Sequence, residues 1–276
     1  MQDILDNITF DKLLSSNIFG SLYRVHSSSS YLTVKVCRVS DISNRELDLL
    51  NLIKQEILDA GYSPCFIRCD SWLVHPRLSE IDMLEPTELT MYSRNLEHVY
   101  MFMSLADYSL ERYPYMMVQY QIKCLTFEIL YAIYVAKFLL NLSNFNIREG
   151  SILLVDTDVD RIYTVQDERF YIANRYLPML ADFSQEGKNQ EDNKEGKVYD
   201  DVIQFIRLIA YYINEKADLS SELVNHIGDL VDRCNSVVTT ADIPNIFNSI
   251  FFDDIREESL VTEGLRREHS LNINPL

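Results

Sequence analysis

The sequence predicts a mixed α+β fold in two parts. Residues 1–103 form a strand-rich part built around one helix, residues 104–255 a mostly helical part, and residues 256–276 a polar tail. Three observations carry this. Tyr31–Arg38 is a β-branched run next to a polar turn. The segment after Ser43 sets Leu47, Leu50, Ile53, Ile57 and Leu58 at helical spacing. Met117–Leu142 is apolar nearly all round, as a helix buried in the larger part should be.

Taken in order, Thr9–Leu14 and Ser21–His26 read as two strands joined by S-S-N-I-F-G, and Ser27–Ser30 as a polar turn into Tyr31–Arg38. The helix after Ser43 stops at Gly61 and Pro64. Phe66–His75 and His98–Met103 are two more strands, separated by a polar insert with Pro76 and Pro86. Asp107–Tyr113 reads as a short helix. Arg161–Val165 and Arg169–Ala173 flank Q-D-E and predict an inserted hairpin. Glu186–Lys197 reads as a solvated loop. Asp201–Ile213 places Val202, Phe205, Ile206 and Ile209 on one helical face. Weaker helices follow around Leu219–Asn235 and Ile243–Phe252. There is no internal repeat.

Composition narrows the function classes. Apolar residues make up 47% of the 276, enough for a substantial core, and 7 Gly and 7 Pro argue against low complexity. The net charge of −17 argues against a phosphate-neutralising surface, so no nucleic-acid partner is expected. Cys37, Cys65, Cys69, Cys124 and Cys234 are odd in number and irregular in spacing. They read as buried free thiols of a reducing compartment rather than a zinc site. The acidic start M-Q-D-I-L-D-N lacks a signal-peptide run, and Gln119, Gln121, Lys123, Glu128 and Lys137 interrupt the long apolar helix. The expectation is a cytoplasmic protein with no membrane partner.

Several short stretches carry chemistry in sequence order. Leu14-Ser-Ser-Asn17-Ile-Phe19-Gly20-Ser-Leu22-Tyr23 resembles the glycine-rich phosphate loop of protein kinases, with Gly20 kept and Ser15 and Asn17 at the other two glycine places. Lys35 in T-V-K-V resembles the phosphate-gripping lysine of the third strand, and Glu46 in N-R-E-L its helix partner. Each alone would read as a solvated surface charge. Val99–Ala106 resembles the fifth strand running into the hinge, and Asp107–Leu110 the segment after it. L-N-L-S-N-F-N-I-R-E-G-S-I-L-L over 140–154 resembles the catalytic loop, with Asn144, Phe145 and Asn146 at the His-Arg-Asp places. Ser151 stands at the place of the metal-binding Asn. Asp182-Phe183-Ser184 resembles Asp-Phe-Gly, and Asp201 the anchoring aspartate of a later helix. The chain is thus similar, over roughly 9–213, to a degenerate protein kinase. Within that superfamily its loop is closest to kinase-like proteins of large DNA viruses, which carry H-N-D-L-H-x-G-N-I.

The resemblance implies a bilobal kinase-like fold, with an N-lobe over 1–103 and a C-lobe over 104–255 carrying an inserted hairpin near 161–173. It implies an adenine pocket walled by Leu14, Leu22, Val34 and Leu153, with Thr33 in place of a small residue. Lys35, Glu46 and Gly20 would face the phosphates, and Asp182 would be a residual, weak metal ligand. Leu50 and Phe183 would stack between the lobes. The ordinary reading of these apolar residues is core packing.

The departures from the family pattern bear on chemistry. Asn146 cannot accept a proton as a carboxylate does, and Ser151 offers a poor oxygen for Mg²⁺. The interval from Asp182 to Asp201 is too short for a full activation segment. No intact catalytic residue remains, and ATP with Mg²⁺ is expected to bind weakly or not at all. The first functional expectation is a pseudokinase: a regulatory, binding or virion structural module with a protein partner, cytoplasmic or virion-associated. The alternatives are an atypical serine/threonine kinase with weak ATP-dependent phosphotransfer, and an unrelated α+β interaction protein. The hairpin and the polar tail are the expected partner surfaces.

Overall fold

The structure is a computed structural model. It describes residues 5, 7–27, 30–76, 97–113, 117–143, 145–183, 196–216, 221–237, 239–256 and 266–271. It is a mixed α+β chain with an antiparallel sheet first and helices later.

Strands β1 (Ile8–Asn17), β2 (Gly20–Ser27) and β3 (Tyr31–Arg38) run as an antiparallel meander. β1 continues three residues past the expected end at Leu14, so S-S-N is strand, not loop. Two register shifts, at Phe10/Lys12 and Leu13/Ser15, let β1 bend over its neighbour. Helix α1 (Asp41–Ile53) follows and runs on as a π turn over Lys54–Leu58. Its N-cap is Ser40, three residues before the expected start. Ser40 and Ser43 cap each other's backbone amides, and Ser43 becomes the third helical residue. That phase puts Ser43, Glu46, Leu47 and Leu50 on one buried stripe and carries a carboxylate inward with the leucines.

β4 (Cys69–His75) and β5 (His98–Met103) complete a five-stranded sheet in the order β1-β2-β3-β5-β4. Phe66, expected to open β4, makes only an isolated bridge to Leu180. Most of the insert between β4 and β5 lies outside the described residues. Strand alternation gives the sheet two apolar faces. Leu22 and Cys37 pack with α1 in the main core, whereas Tyr23, Val25, Val34, Val36, Tyr100 and Phe102 form a second core on the opposite face.

Asp107–Tyr113 is not a helix. β6 (Tyr108–Ser109) pairs with β7 (Ile152–Asp156), and Asp107 and Leu110 donate their amides to Leu154 and Ile152. So short a helix has too few internal bonds to outcompete a strand waiting to be paired. Helix α2 (Gln119–Leu140) is buried almost throughout and ends at Asn141, whose φ of 53° provides a left-handed cap. Among the described residues no helix is long and apolar enough to cross a membrane.

The expected hairpin is present as β8 (Asp160–Val165) and β9 (Glu168–Ile172). β10 (Tyr176–Leu180) was not foreseen, because Pro178 argues against a strand. β10 lies at the edge of its sheet beside β7, touching Phe66 only at its last residue, Leu180, and an edge strand tolerates proline. The loop expected over Glu186–Lys197 lies outside the described residues up to 195; its last two residues open helix α3 (Gly196–Lys216). Helix α4 (Ser221–Asn235) follows, and the last expected helix is two 3₁₀ segments, Thr240–Asn248 and Ile250–Ile255.

The tail is not wholly irregular. Within it β11 (Arg266–Leu271) pairs parallel with β8, giving the order β11-β8-β9, and Arg256 bridges to Phe170 on β9. The two segments expected to offer a partner surface are joined to each other. The hairpin's inner side is core: Tyr163 and Phe170 pack on Phe127 of α2, with ring centroids 5.4 and 4.6 Å away.

Candidate functional site

Lys35 lies on the face of β3 opposite Val34, so alternation turns it toward α1. Glu46 meets it from the buried stripe of that helix, with Lys35 Nζ 2.5 Å from Glu46 Oε1. The expected approach of these two groups is present. Asp182 comes from the segment after β10, and its Oδ1 is 3.2 Å from the same ammonium. All three side chains are almost inaccessible to water. Glu46 Oε1 also accepts the Phe183 amide at 3.2 Å.

Burial works against the Lys35 charge, but Asp182 and Glu46 outweigh it and hold the ammonium well above the ordinary lysine range. Burial pulls Glu46 the other way, toward a raised pKa against the opposing effect of Lys35. With an ammonium and an amide both donating to Oε1, the geometry serves the carboxylate, and the ionised pair is the state these contacts describe.

The second oxygen of Asp182 is the informative one. Its Oδ2 accepts from Asn17 Nδ2 at 2.8 Å, Asn146 Nδ2 at 2.7 Å and Arg148 Nη2 at 3.3 Å. Asn17 reaches it from the end of β1. Its own Oδ1 accepts the Phe19 and Gly20 amides at 2.7 and 3.0 Å, which fixes the β1–β2 turn. Asn17 and Asn146, two of the residues that differ from the kinase motifs, therefore both donate to Asp182. Lys35 and Arg148 balance Glu46 and Asp182, so the cluster has no net negative charge left to attract a cation.

Mg²⁺ needs open carboxylate oxygens with room for water around the ion. Oδ1 already faces an ammonium, and Oδ2 already accepts three N–H donors. The residues present do not fit a metal at Asp182. Ser151, the other expected ligand position, is also turned to a local task. Its hydroxyl donates to the Arg148 carbonyl and accepts the Arg148 amide, both at 2.9 Å, closing the 3₁₀ turn Glu149–Ser151. Among the described residues no group of three His, Cys, Asp or Glu side chains could hold a metal ion.

The expected adenine walls are brought together only in part. Leu14, Leu22 and Leu153 share the main core, but Val34 points to the opposite face of the sheet and is corrected out of the set. One-residue alternation along β3 requires this: with Thr33 and Lys35 inward, Val34 must face out. Leu14, Leu22 and Leu153 are at most 4% exposed, whereas walls of a cleft open to a purine would show accessible area. Ser109 Oγ donates to the Leu14 carbonyl at 2.5 Å, tying β1 to β6. The Ala106 amide, at the end of the β5 connection, donates to Thr33 Oγ1 at 2.9 Å. A backbone donor that could have met a ligand is thereby spent on a side chain.

Gly20 and Gly150 both lie against close neighbours. A Cβ on Gly20 would lie 2.7 Å from the Val36 carbonyl oxygen. A Cβ on Gly150 would collide with Ser15 Oγ and lie 2.8 Å from Glu111 Oε2. Phe183 stacks on Phe66 at 6.3 Å and meets Phe145 edge-on at 5.9 Å, and Leu50 is fully buried. Asn144 and Ser184 lie outside the described residues. Asp201 is buried in α3.

Sequence reasoning missed Arg148 as a partner of Asp182, and it read Asn17 only as standing at a loop-glycine place. The available signal was compositional: two amides and a guanidinium at positions that would surround a carboxylate. It also missed a second buried cluster, where Arg161 of β8 meets Glu128 of α2. No protein-family model matches the chain, and no curated protein matches it either.

Proposed function

We propose that this chain is a degenerate protein kinase-like protein, a pseudokinase, that acts as a binding or structural module and does not transfer phosphate. The observation that carries the reading is the commitment of both Asp182 oxygens to Lys35, Asn17, Asn146 and Arg148. In the kinase reading these are the positions of the metal ligand, the phosphate lysine, a loop glycine, the base and a residue just after it. The order of elements supports that kinship: a five-stranded antiparallel sheet with one helix, then a long buried helix, the 145–151 loop and the Asp182 segment. Asn146 has no proton-accepting carboxylate, and its amide is spent as a donor. Phosphotransfer requires metal-bridged phosphates and an oriented hydroxyl, and the side chains at these positions bond one another instead.

A protein partner is the inferred ligand, and the likeness of the loop to kinase-like proteins of large DNA viruses makes a virion component or a regulator of another viral or host protein the inferred setting. The decisive test is turnover. Purified chain given labelled ATP with Mg²⁺ or Mn²⁺ should show autophosphorylation and ATP hydrolysis no greater than Lys35→Ala. Hydrolysis or labelling that disappears in Lys35→Ala would return the chain to the atypical kinase alternative.

A further inference from the structure

We propose that the β1–β2 hairpin is an intramolecular latch: through Asn17 its turn occupies Asp182 as an internal ligand and holds the five-stranded sheet shut against the 145–151 loop, with no external cation or nucleotide. The inference rests on the geometry and is independent of kinase kinship.

Three ties converge on β1. Asn17 Nδ2 donates to Asp182 Oδ2 across 165 positions of sequence. Two residues inward, the Ser15 side chain is buried against Gly150, where a Cβ would collide with Ser15 Oγ. One further residue inward, the Leu14 carbonyl accepts the Ser109 hydroxyl. Each tie joins β1 to a different segment: the Asp182 strand exit, the 3₁₀ turn and β6. The bends that the two register shifts put into β1 carry its end onto these segments.

Asn17 is suited to the task by having two ends. Its carbonyl oxygen holds the Phe19 and Gly20 amides, which rigidifies the turn, and its amide nitrogen is then aimed at the carboxylate. Serine could cap the turn but could not reach Asp182. Aspartate could cap the turn but would present an oxygen to an oxygen. Glycine could do neither. Asn146 and Arg148 complete the receptor from the other side, and Ile18, at the tip beyond the latch, is left 74% exposed. A site held by its own residues keeps one closed shape in all conditions of ligand supply. That suits a surface read by a partner.

The test is amide hydrogen exchange on the full chain, comparing wild type with Asn17→Asp and Asn17→Ser. Both variants keep an oxygen able to cap the turn, so a merely local role for Asn17 would leave exchange elsewhere unchanged. The latch requires that peptides covering 14–22 and 145–151 lose protection together, by roughly tenfold or more. Should Asn17→Asp not fold, Asn17→Ser makes the same comparison. The exchanged pair Asn17→Asp with Asp182→Asn restores a donor opposite an acceptor and should recover part of the protection at 14–22. Loss of protection confined to 14–22, or none, overturns the latch and leaves the functional proposal standing. ATP turnover in wild type with both peptides protected would do the reverse.

Discussion

Lys35 and Arg161 are both buried cations set against buried carboxylates, and their surroundings differ. Lys35 sits between the sheet and the 145–151 loop. Its carboxylate partner Asp182 collects four donors from three separate segments, β1, β3 and the 145–151 loop, two of them amides and one an Arg148 side chain that is 32% exposed. Arg161 sits in the aromatic interior of the helical part. Its Nε and Nη2 meet Glu128 Oε1 and Oε2 at 2.5 and 3.3 Å, and its guanidinium also donates to the Val159, Asn174 and Tyr176 carbonyls. The Tyr163 hydroxyl donates to the same Glu128 oxygen. One cluster is a joint, assembled from pieces distant in sequence around a carboxylate. The other is a rivet, in which one guanidinium satisfies the backbone ends of a hairpin against one helix. Burial of charge alone does not distinguish a candidate site from scaffolding; the number of independent segments that meet, and access from the rim, do.

The largest expected effect is at the rivet. Arg161→Ala leaves the fully buried Glu128 with Tyr163 alone and removes the Arg161 donors from the Val159 and Asn174 carbonyls, while the Tyr176 carbonyl keeps Asn174 Nδ2. Removing one partner of a buried pair costs about 3–5 kcal/mol, and chemical denaturation should show a loss in that range or a failure to fold. Lys35→Ala should cost less, about 2–4 kcal/mol, because Asp182 keeps three other donors while Glu46 keeps only the Phe183 amide. Equal losses at the two sites would remove the distinction between rivet and joint.

Replacing Asn146 by aspartate sharpens the comparison through pH. Asn146→Asp places a carboxylate where an amide now donates to Asp182 Oδ2. Like charge raises the folded-state pKa of the new group above its unfolded value of about 3.9. The folded state then binds more protons than the unfolded state across that window, so stability falls as pH rises through it. Melting at pH 3.5 should nearly match wild type, and at pH 7 it should lie below it by about 1–2 kcal/mol, the range for an unsatisfied buried group. A pH-independent difference would show that the amide at 146 does not act through Asp182. The change is expected to create no kinase activity.

How far the sequence revealed these two regions follows from what each is made of. β3, β5, the hairpin and the helix carrying Glu46 were legible because alternation and helical spacing are local signals. Lys35 and Glu46 were legible as a pair because they resemble a strand–helix pair of protein kinases that lies close together in sequence. The donors to Asp182 were not, since the Asn17 contact depends on where a bend in β1 sends its end. Val34 was misplaced by reading neighbours as wall-mates across a period of two. The Arg161–Glu128 contact had no local signature at all: a glutamate in an apolar helix looks like an interruption until the hairpin that neutralises it is in place. β10 was hidden by its proline, and β11 by a polar composition that suits a solvated tail equally well.

The smallest expected effect is the response to nucleotide. A ligand at a hundred times its dissociation constant stabilises by about 2.7 kcal/mol. For a chain of this size that is a melting shift of about 5–10 °C. Nothing near this is expected from millimolar ATP with Mg²⁺, and a shift below about 1 °C should remain after matching ionic strength with simple salt. Entry would require the Thr33–Ala106 and Ser109–Leu14 bonds to open together and Asp182 to exchange four N–H donors for a hydrated cation. Those costs fall on the joint and not on the rivet, so Arg161 variants should respond to nucleotide no more than wild type. A variant that loosens the joint without emptying it, Asn17→Ser, is the one in which a small Mg²⁺-dependent shift should first become measurable. A shift of several degrees in wild type, dependent on Mg²⁺ and absent in Asp182→Asn, would mean that the joint opens readily and that its filled state is a resting form of a working nucleotide site.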